Sequence, residues 1–171
     1  MSTDHKKRRY DNIAAIDLLH QVSSMYSGTK KPHDYGTGET FTSTEMHLVK
    51  CISDQPGITV TELAYDYAKT KGAISQILKK LVEKGIILQK RSADAGDKRI
   101  LLYLTDRGEA LNRAHLDYDE KHAGETMNLV RSKHTDEEID TAFEVIKTWL
   151  DCRRYIHEQR RTKKAEKSEN A

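Results

Sequence analysis

The sequence predicts a mostly α-helical protein with a small β-wing, in which a winged helix-turn-helix head joins a helical dimerisation region. Apolar residues recur at helical spacing along most of the chain, and capping sequences separate the repeats. Two short β-prone runs follow directly after a basic helix. The stretch from Thr59 to Gly108 contains that helix and both runs. We expect the other segments to support and control this stretch.

The composition favours a helical protein built as one head with helical extensions. Of the 171 residues, 36% are hydrophobic, 33% are charged and 6% are aromatic, fewer aromatics than a β-sandwich normally has. Dimeric helical proteins often have such a modest apolar content, because their helices finish burying apolar faces across the subunit interface. No apolar run is long enough to cross a membrane. The basic N-terminus has no apolar stretch behind it, and two cysteines are too few for a disulfide framework. We therefore expect a cytoplasmic protein with no membrane partner.

The positive charge is distributed unevenly. From Lys69 to Arg99 there are nine Lys and Arg against three acidic residues, a charge of +6. The whole chain carries only +2, so the remainder is about −4. A local excess of this kind is typical of a surface that binds phosphate groups. The alternative interpretation is an ordinary solvated helix face.

Sequence signals divide the chain into segments with different expected roles. The division is residues 1–9 as a disordered basic arm, 10–42 and 105–159 as the helical dimerisation region, 43–104 as the head, and 160–171 as a disordered tail. Residues 28–39 are predicted to be a loop by their Gly, Pro, Lys and Asp content. No apolar anchor is present in the tail, which is the reason for expecting disorder there.

Capping signals predict where the helices begin. Capping boxes start at Thr42, Thr59 and Thr135, each with Glu three residues later, and Thr70 is a further cap. The helix after Thr70 should end at Gly85, the residue type that favours a left-handed C-terminal position. Residues 86–90 and 100–104 are the two predicted strands of the wing.

The helix after Thr70 has the residue types of a DNA recognition helix. Small and polar side chains near its first turn let such a helix sit deep in the major groove. Gln76 can form two hydrogen bonds with adenine, and lysines on the same stripe can contact phosphates. The wing adds cations for the neighbouring minor groove. The predicted DNA-binding residues of the helix and the wing cations are Lys71, Ala73, Ser75, Gln76, Lys79, Lys80, Arg91, Lys98 and Arg99.

The motifs ITVTELA, KTKGAISQILKKLVEKGII, the wing ending DKR, and LTDRG together resemble the MarR family of winged-helix regulators. The resemblance covers about Tyr10 to Leu150. It implies a homodimer in which the first and the last two helices interlock and each head binds half of a palindromic double-stranded operator. It also implies that Arg99 is the minor-groove arginine and Asp97 its orienting partner. Many members have Arg at the position of Gln76, so this chain departs from the family there.

A pair of side chains on the long helix after the wing suggests metal binding. His115 and Asp119 are four residues apart, the spacing with which a helix presents two ligands on one face. The alternative is an Asp–His hydrogen bond or a solvated face. Zinc-responsive repressors within the MarR family use a His early in the second helix and two ligands four apart on the long helix, and His47, His115 and Asp119 match those positions. Those repressors usually have His at the position of Asp119. A carboxylate is a harder ligand than imidazole, so iron and manganese are candidate ions beside zinc.

The fourth ligand in those relatives comes from the end of the first helix or the following loop. The candidates for this ligand here are, in order of preference, His33, Glu39 and His20. The resemblance to zinc-responsive members implies zinc or another divalent ion as the cofactor. The alternative functions are a MarR-type regulator that binds a small organic ligand between head and dimer base, and a winged-helix adaptor for protein contacts. The chain has no nucleophile elbow, phosphate-binding loop or HExxH sequence. We predict that it is not an enzyme.

Overall fold

The computed structural model describes residues 12–27, 31–94 and 96–169. Six helices and four short strands follow one another within these residues. In order they are α1 (Asn12–Ser27), β1 (His33–Asp34), β2 (Thr40–Phe41), α2 (Ser43–Asp54), α3 (Val60–Asp66), α4 (Lys71–Glu83), β3 (Ile87–Arg91), β4 (Ile100–Leu104), α5 (Asp106–Arg131) and α6 (Asp136–Glu169). The predicted fold class is confirmed, because α3 and α4 form a helix-turn-helix and β3 and β4 pair as the wing.

The helix starts follow from the capping sequences. The Thr42 and Thr59 side chains each accept the backbone N–H of the Glu three residues later, and each Glu carboxylate accepts the backbone N–H of its Thr. Thr135 and Glu138 make the same two bonds before α6. Each box satisfies two of the four free N–H groups that begin a helix. The predicted helix starts are therefore confirmed.

The core of the head lies where α2, α3, α4 and the wing meet. Side chains such as Met46, Leu63, Ile74 and Leu102 are fully buried there. β3 and β4 pair antiparallel from Ile87 opposite Leu104 to Arg91 opposite Ile100. The chain just before α3 is tied to the same sheet. The Gly57 N–H donates to the Leu102 carbonyl at 2.8 Å, and the Leu102 N–H donates to the Ile58 carbonyl at 3.0 Å. The wing and the helix-turn-helix thus form one packed unit.

The junction between head and long helix requires a glycine. A Cβ on Gly108 would lie 2.2 Å from the Ile86 carbonyl oxygen, far inside contact distance. Thr105 caps α5 by accepting the Gly108 N–H at 3.0 Å, and its hydroxyl donates to the Gly85 carbonyl at 2.7 Å. This close approach fixes the direction in which α5 leaves the wing.

Two segments differ from expectation. A small hairpin, β1–β2, begins inside the predicted loop and ends just after it, because the Asp34 carboxylate accepts the N–H groups of Gly36, Thr37 and Gly38 and closes a tight turn. The expected disordered tail is instead helical as far as Glu169. Its residues are mostly Arg, Lys, Ala and Glu, which are strong helix formers, so the helix continues without apolar anchors. The basic arm at residues 1–9 lies outside the described residues.

Helices α1 and α6 leave large apolar side chains uncovered. Ile16, Val22, Phe143, Ile146 and Leu150 are each between 44% and 56% exposed, although they recur at helical spacing. A monomer seldom leaves so many large apolar side chains exposed at helical spacing. The surface therefore fits the expected dimerisation region, whose boundaries stay a prediction. Within the described residues, no helix is long and apolar enough to span a bilayer.

Replacing Thr59 with alanine should lower the free energy of unfolding by about 1 kcal/mol, the usual effect of losing an N-cap side chain. The Thr59 hydroxyl donates to the Glu62 carboxylate at 2.6 Å, and this bond, with the Thr59 N–H, lowers the pKa of Glu62. Urea unfolding at neutral pH measures the change. The matched control is Thr61→Ala, an exposed position two residues later. Equal effects of both substitutions would contradict the importance of the cap.

Candidate DNA interface and sensor site

Helix α4 presents two chemically different faces. Ile74, Leu78 and Leu81 are buried against the core, with at most 1% of each side chain exposed. The opposite face is exposed along its whole length and consists of the predicted residues Lys71, Ala73, Ser75, Gln76, Lys79 and Lys80. Lys79 lies 3.9 Å from Glu83, an exposed pair of little energy. The helix therefore offers small, amide and cationic groups to a partner.

The wing holds its arginine in a fixed orientation. Arg99 Nε lies 3.1 and 2.9 Å from the two carboxylate oxygens of Asp97, and an Nη of Arg99 lies 2.9 Å from Oδ2. The Arg99 backbone N–H also donates to Asp97 at 2.9 Å. The hydrogen bonds from Arg99 hold the pKa of Asp97 well below its usual range. A second edge of the guanidinium stays accessible, because the Arg99 side chain is 63% exposed. Lys98 and Arg91 are exposed on the same wing.

Three elements bring the predicted metal ligands together. His47 on α2 faces His115 on α5, with ring centroids 5.9 Å apart. His115 Nε2 lies 3.4 Å from an Asp119 oxygen. His33 on β1 reaches the same cluster through two tyrosines, since its ring lies 4.8 Å from that of Tyr35 and 4.4 Å from that of Tyr118. Tyr35 in turn lies 5.1 Å from His115. His47, His115 and Asp119 are therefore neighbours, and His33 is connected to them through the two tyrosines.

His115 is the central residue of this region. Only 3% of its surface is exposed, and neither ring nitrogen has a hydrogen-bond partner among the described residues. The contact with Asp119 is within ion-pair distance but lacks hydrogen-bond geometry. Burial lowers the pKa of His115 below its usual value, against the opposing charge of Asp119, and nearby His47 lowers it further. The ring is therefore neutral at neutral pH, the form that binds metals.

The donor set suits a divalent ion, although the side chains are not yet arranged around one. Two imidazoles and a carboxylate are the ligands of many zinc sites. The buried His115 ring has no hydrogen-bond partner for either nitrogen among the described residues, and a cation could bind one of them. Among the described residues, no three His, Cys, Asp or Glu side chains are close enough together to hold a metal ion. Metal binding would therefore require His47 and His33 to move toward His115.

The other two candidates for the fourth ligand are engaged elsewhere. The Glu39 carboxylate pairs with Arg107 and lies 4.0 Å from Lys84 Nζ. Lys84 also donates to the Thr40 carbonyl at 2.8 Å, and Arg107 donates to the Lys84 carbonyl at 2.9 Å. These bonds fasten the hairpin to the end of α4. His20 lies on α1 beside Trp149, which leaves His33 as the nearest of the three candidates.

Sequence comparison supports the assignment of the head. The model of the MarR family matches residues 41–101, which span α2 to the second wing strand. The chain carries a MarR-family domain. The "Uncharacterized HTH-type transcriptional regulator YhjH" of Bacillus subtilis (strain 168) is 29% identical over 148 residues, covering 81% of this chain and 83% of YhjH.

Two solved structures with the same fold have DNA bound. Lactococcus lactis ZitR in complex with DNA is 22% identical with a TM-score of 0.55, covering 82% of this chain and 97% of ZitR. Streptococcus pneumoniae FabT in complex with DNA is 18% identical with a TM-score of 0.59, covering 85% of this chain and 96% of FabT. At these identities the likeness establishes the winged-helix fold of the chain.

The MarR segment contains only part of the site. All of the predicted DNA-binding residues and His47 lie inside it, whereas His33, His115 and Asp119 lie outside. Two aromatic neighbours of the cluster were not predicted. Tyr118 follows His115 by three residues, so helical spacing could have placed it on the same face. Tyr35 lies in the turn between β1 and β2, and no sequence signal connects it to α5.

Proposed function

We propose that the chain is a homodimeric, sequence-specific DNA-binding transcriptional regulator. In this proposal it is a repressor whose operator affinity changes with a bound divalent ion such as zinc. The observation that carries the DNA-binding part is the pairing of an exposed recognition face on α4 with the oriented guanidinium of Arg99 on the wing. The family assignment and the DNA complexes of ZitR and FabT support it.

Each group has a distinct role in DNA binding. Gln76 and Ala73 contact base edges in the major groove, and Lys71, Lys79 and Lys80 neutralise phosphates. Arg99 enters the adjacent minor groove. Asp97 already holds the guanidinium in position before DNA binds. Two heads related by a dimer axis would then contact major grooves one helical turn apart, about 34 Å. A palindromic operator matches that symmetry.

The metal part of the proposal depends on His115. A buried imidazole with no partner for either nitrogen is unfavourable in a resting structure and is often found at a functional site. His47, His115, Asp119 and His33 would hold the ion, which would supply a cross-link between α2, α5 and the hairpin. ZitR is described as a zinc-responsive MarR family member, which supports the same response here. The residues of this chain would then fix the angle of the head relative to the dimer helices.

The aromatic rings around His115 favour one alternative effector. Tyr35 and Tyr118 meet at 5.3 Å with nearly perpendicular rings, and Tyr118 stacks on His122 at 3.9 Å. A small organic ligand between the head and the dimer base would find apolar ring faces and hydroxyl groups there. Metal titration distinguishes the two effectors, because only the metal response is abolished by a chelator.

Binding to a palindromic duplex should be specific and strongly dependent on salt. With several Lys and Arg at the interface, affinity should fall by about 10³-fold between 50 and 200 mM salt. Operators can be selected from a pool of genomic fragments, and their binding then measured by fluorescence anisotropy at several salt concentrations. A scrambled duplex of equal length is the control. Failure to enrich any fragment would instead favour an adaptor that binds proteins.

A further inference from the structure

The turn between α3 and α4 is held from two directions. Tyr67 ends α3, Thr70 caps α4, and only Ala68 and Lys69 lie between them. The position of the recognition helix therefore depends on this turn. Any group bonded to the turn from another element can transmit a displacement to α4.

The first bond comes from the sensor side. The Tyr67 hydroxyl donates to the His47 carbonyl oxygen at 2.8 Å, joining two residues 20 positions apart. His47 therefore has two functions in the geometry, with its ring directed at His115 and its carbonyl bonded to the turn.

The second bond comes from the dimerisation side. The Arg154 guanidinium on α6 donates twice to the Asp66 carbonyl oxygen, from Nε at 3.1 Å and from an Nη at 2.8 Å. Arg154 is itself held by Asp151 on the same helix at 3.1 Å. Two adjacent residues, Asp66 and Tyr67, thus bond to different parts of the molecule.

The backbone between these bonds and α4 is strained. Ala68 has a φ of +48°, a left-handed conformation that alanine rarely adopts. Such a conformation persists only where surrounding contacts determine it, and strained turns of this kind occur at switch regions. The Ala68 and Lys69 N–H groups are bonded to the carbonyls of Tyr65 and Ala64 at 3.1 and 3.0 Å.

We propose that Tyr67 is the positioning residue that couples the His47–His115 site to the recognition helix, with Arg154 holding the turn against α6. The inference rests on the proposed metal response. When His47 moves toward His115, its carbonyl moves with α2, and the Tyr67 hydroxyl carries that displacement into the turn. Because Arg154 bonds the Asp66 end of the turn to α6, the whole turn cannot move together with α2. The displacement at Tyr67 therefore rotates α4 relative to the dimer helices.

The test is Tyr67→Phe, which removes the hydroxyl and keeps the ring. The exposed neighbour Tyr65→Phe is the matched control. For each protein, operator affinity is measured with a chelator and with zinc, and zinc affinity is measured without DNA. We expect zinc to change the DNA affinity of the wild type and of Tyr65→Phe by roughly 5- to 150-fold, the usual range of allosteric coupling. In Tyr67→Phe this factor should fall to less than about 2-fold, while zinc affinity without DNA stays near the wild-type value.

A second measurement needs no metal. In the metal-free protein, hydrogen exchange of the Ala68 and Lys69 amides should be faster in Tyr67→Phe than in the wild type, whereas Tyr65→Phe should not differ. An unchanged zinc effect in Tyr67→Phe beside a responsive wild type would overturn the coupling role and leave the metal-responsive function intact. A wild type whose DNA affinity ignores zinc would overturn both.

Discussion

Operator affinity should fall by at least about 30-fold when Arg99 is replaced with alanine. A well-placed arginine contact in a DNA groove contributes about 1–3 kcal/mol, and a homodimer loses two of them, at least about 2 kcal/mol in total. In this chain the guanidinium is already oriented by Asp97, so little entropy is lost when DNA binds. Fluorescence anisotropy with an operator duplex measures the loss at constant salt.

Two further variants separate orientation from charge. Asp97→Asn keeps Arg99 but removes its charged partner, and should weaken binding less than Arg99→Ala does. Lys133→Ala removes one exposed charge after α5, far along the chain from the wing, and should leave affinity unchanged. Circular dichroism should show folded protein in each case. If Arg99→Ala and Lys133→Ala bind alike, the wing is not part of the interface.

Replacing His115 with leucine should have opposite effects on metal binding and on stability. Loss of a central ligand should weaken zinc binding by at least about 100-fold, since even losing an outer partner of a ligand weakens it by 10- to 100-fold. The same substitution removes two buried nitrogens that have no hydrogen-bond partner in the part of the chain that the structure describes. The metal-free protein should therefore gain about 1–3 kcal/mol in the free energy of unfolding. Zinc titration against a chelating dye and urea unfolding measure the two effects.

The sign of the stability change gives this experiment its value. A histidine kept for packing would lose stability on substitution, whereas one kept for a ligand gains it. His134→Leu is the control, because that ring is exposed beside Glu138 and should change stability by less than about 0.5 kcal/mol. If His115→Leu destabilises the metal-free protein and leaves zinc binding intact, the proposed site is wrong.

Local signals predicted the head well, because the physics of capping is local. A Thr followed by Glu three residues later satisfies its own helix start, so the boundaries at Thr42 and Thr59 could be predicted from four residues each. Gly85 has a φ of +65° just after α4, as expected for a glycine that ends a helix. These features need no information about distant parts of the chain.

The region around His115 was only partly predictable, because distant segments assemble it. Helical spacing identified His115 and Asp119, and the family resemblance added His47 and His33. Neither showed that Tyr35 would lie against His115, which depends on the Asp34 turn that folds the hairpin. The Tyr67–His47 bond spans two helices, and no periodicity within either helix indicates it.

The apolar side chains left exposed on α1 and α6 would make folding depend on protein concentration if a second copy covered them. If those faces close against a second copy, each association removes apolar surface from water and favours folding by mass action. Dilution would then lower the unfolding temperature as well as the number of paired heads. Loss of partners, loss of fold and release of the operator would then be linked, so a fall in the cellular amount of the protein would itself reduce operator binding.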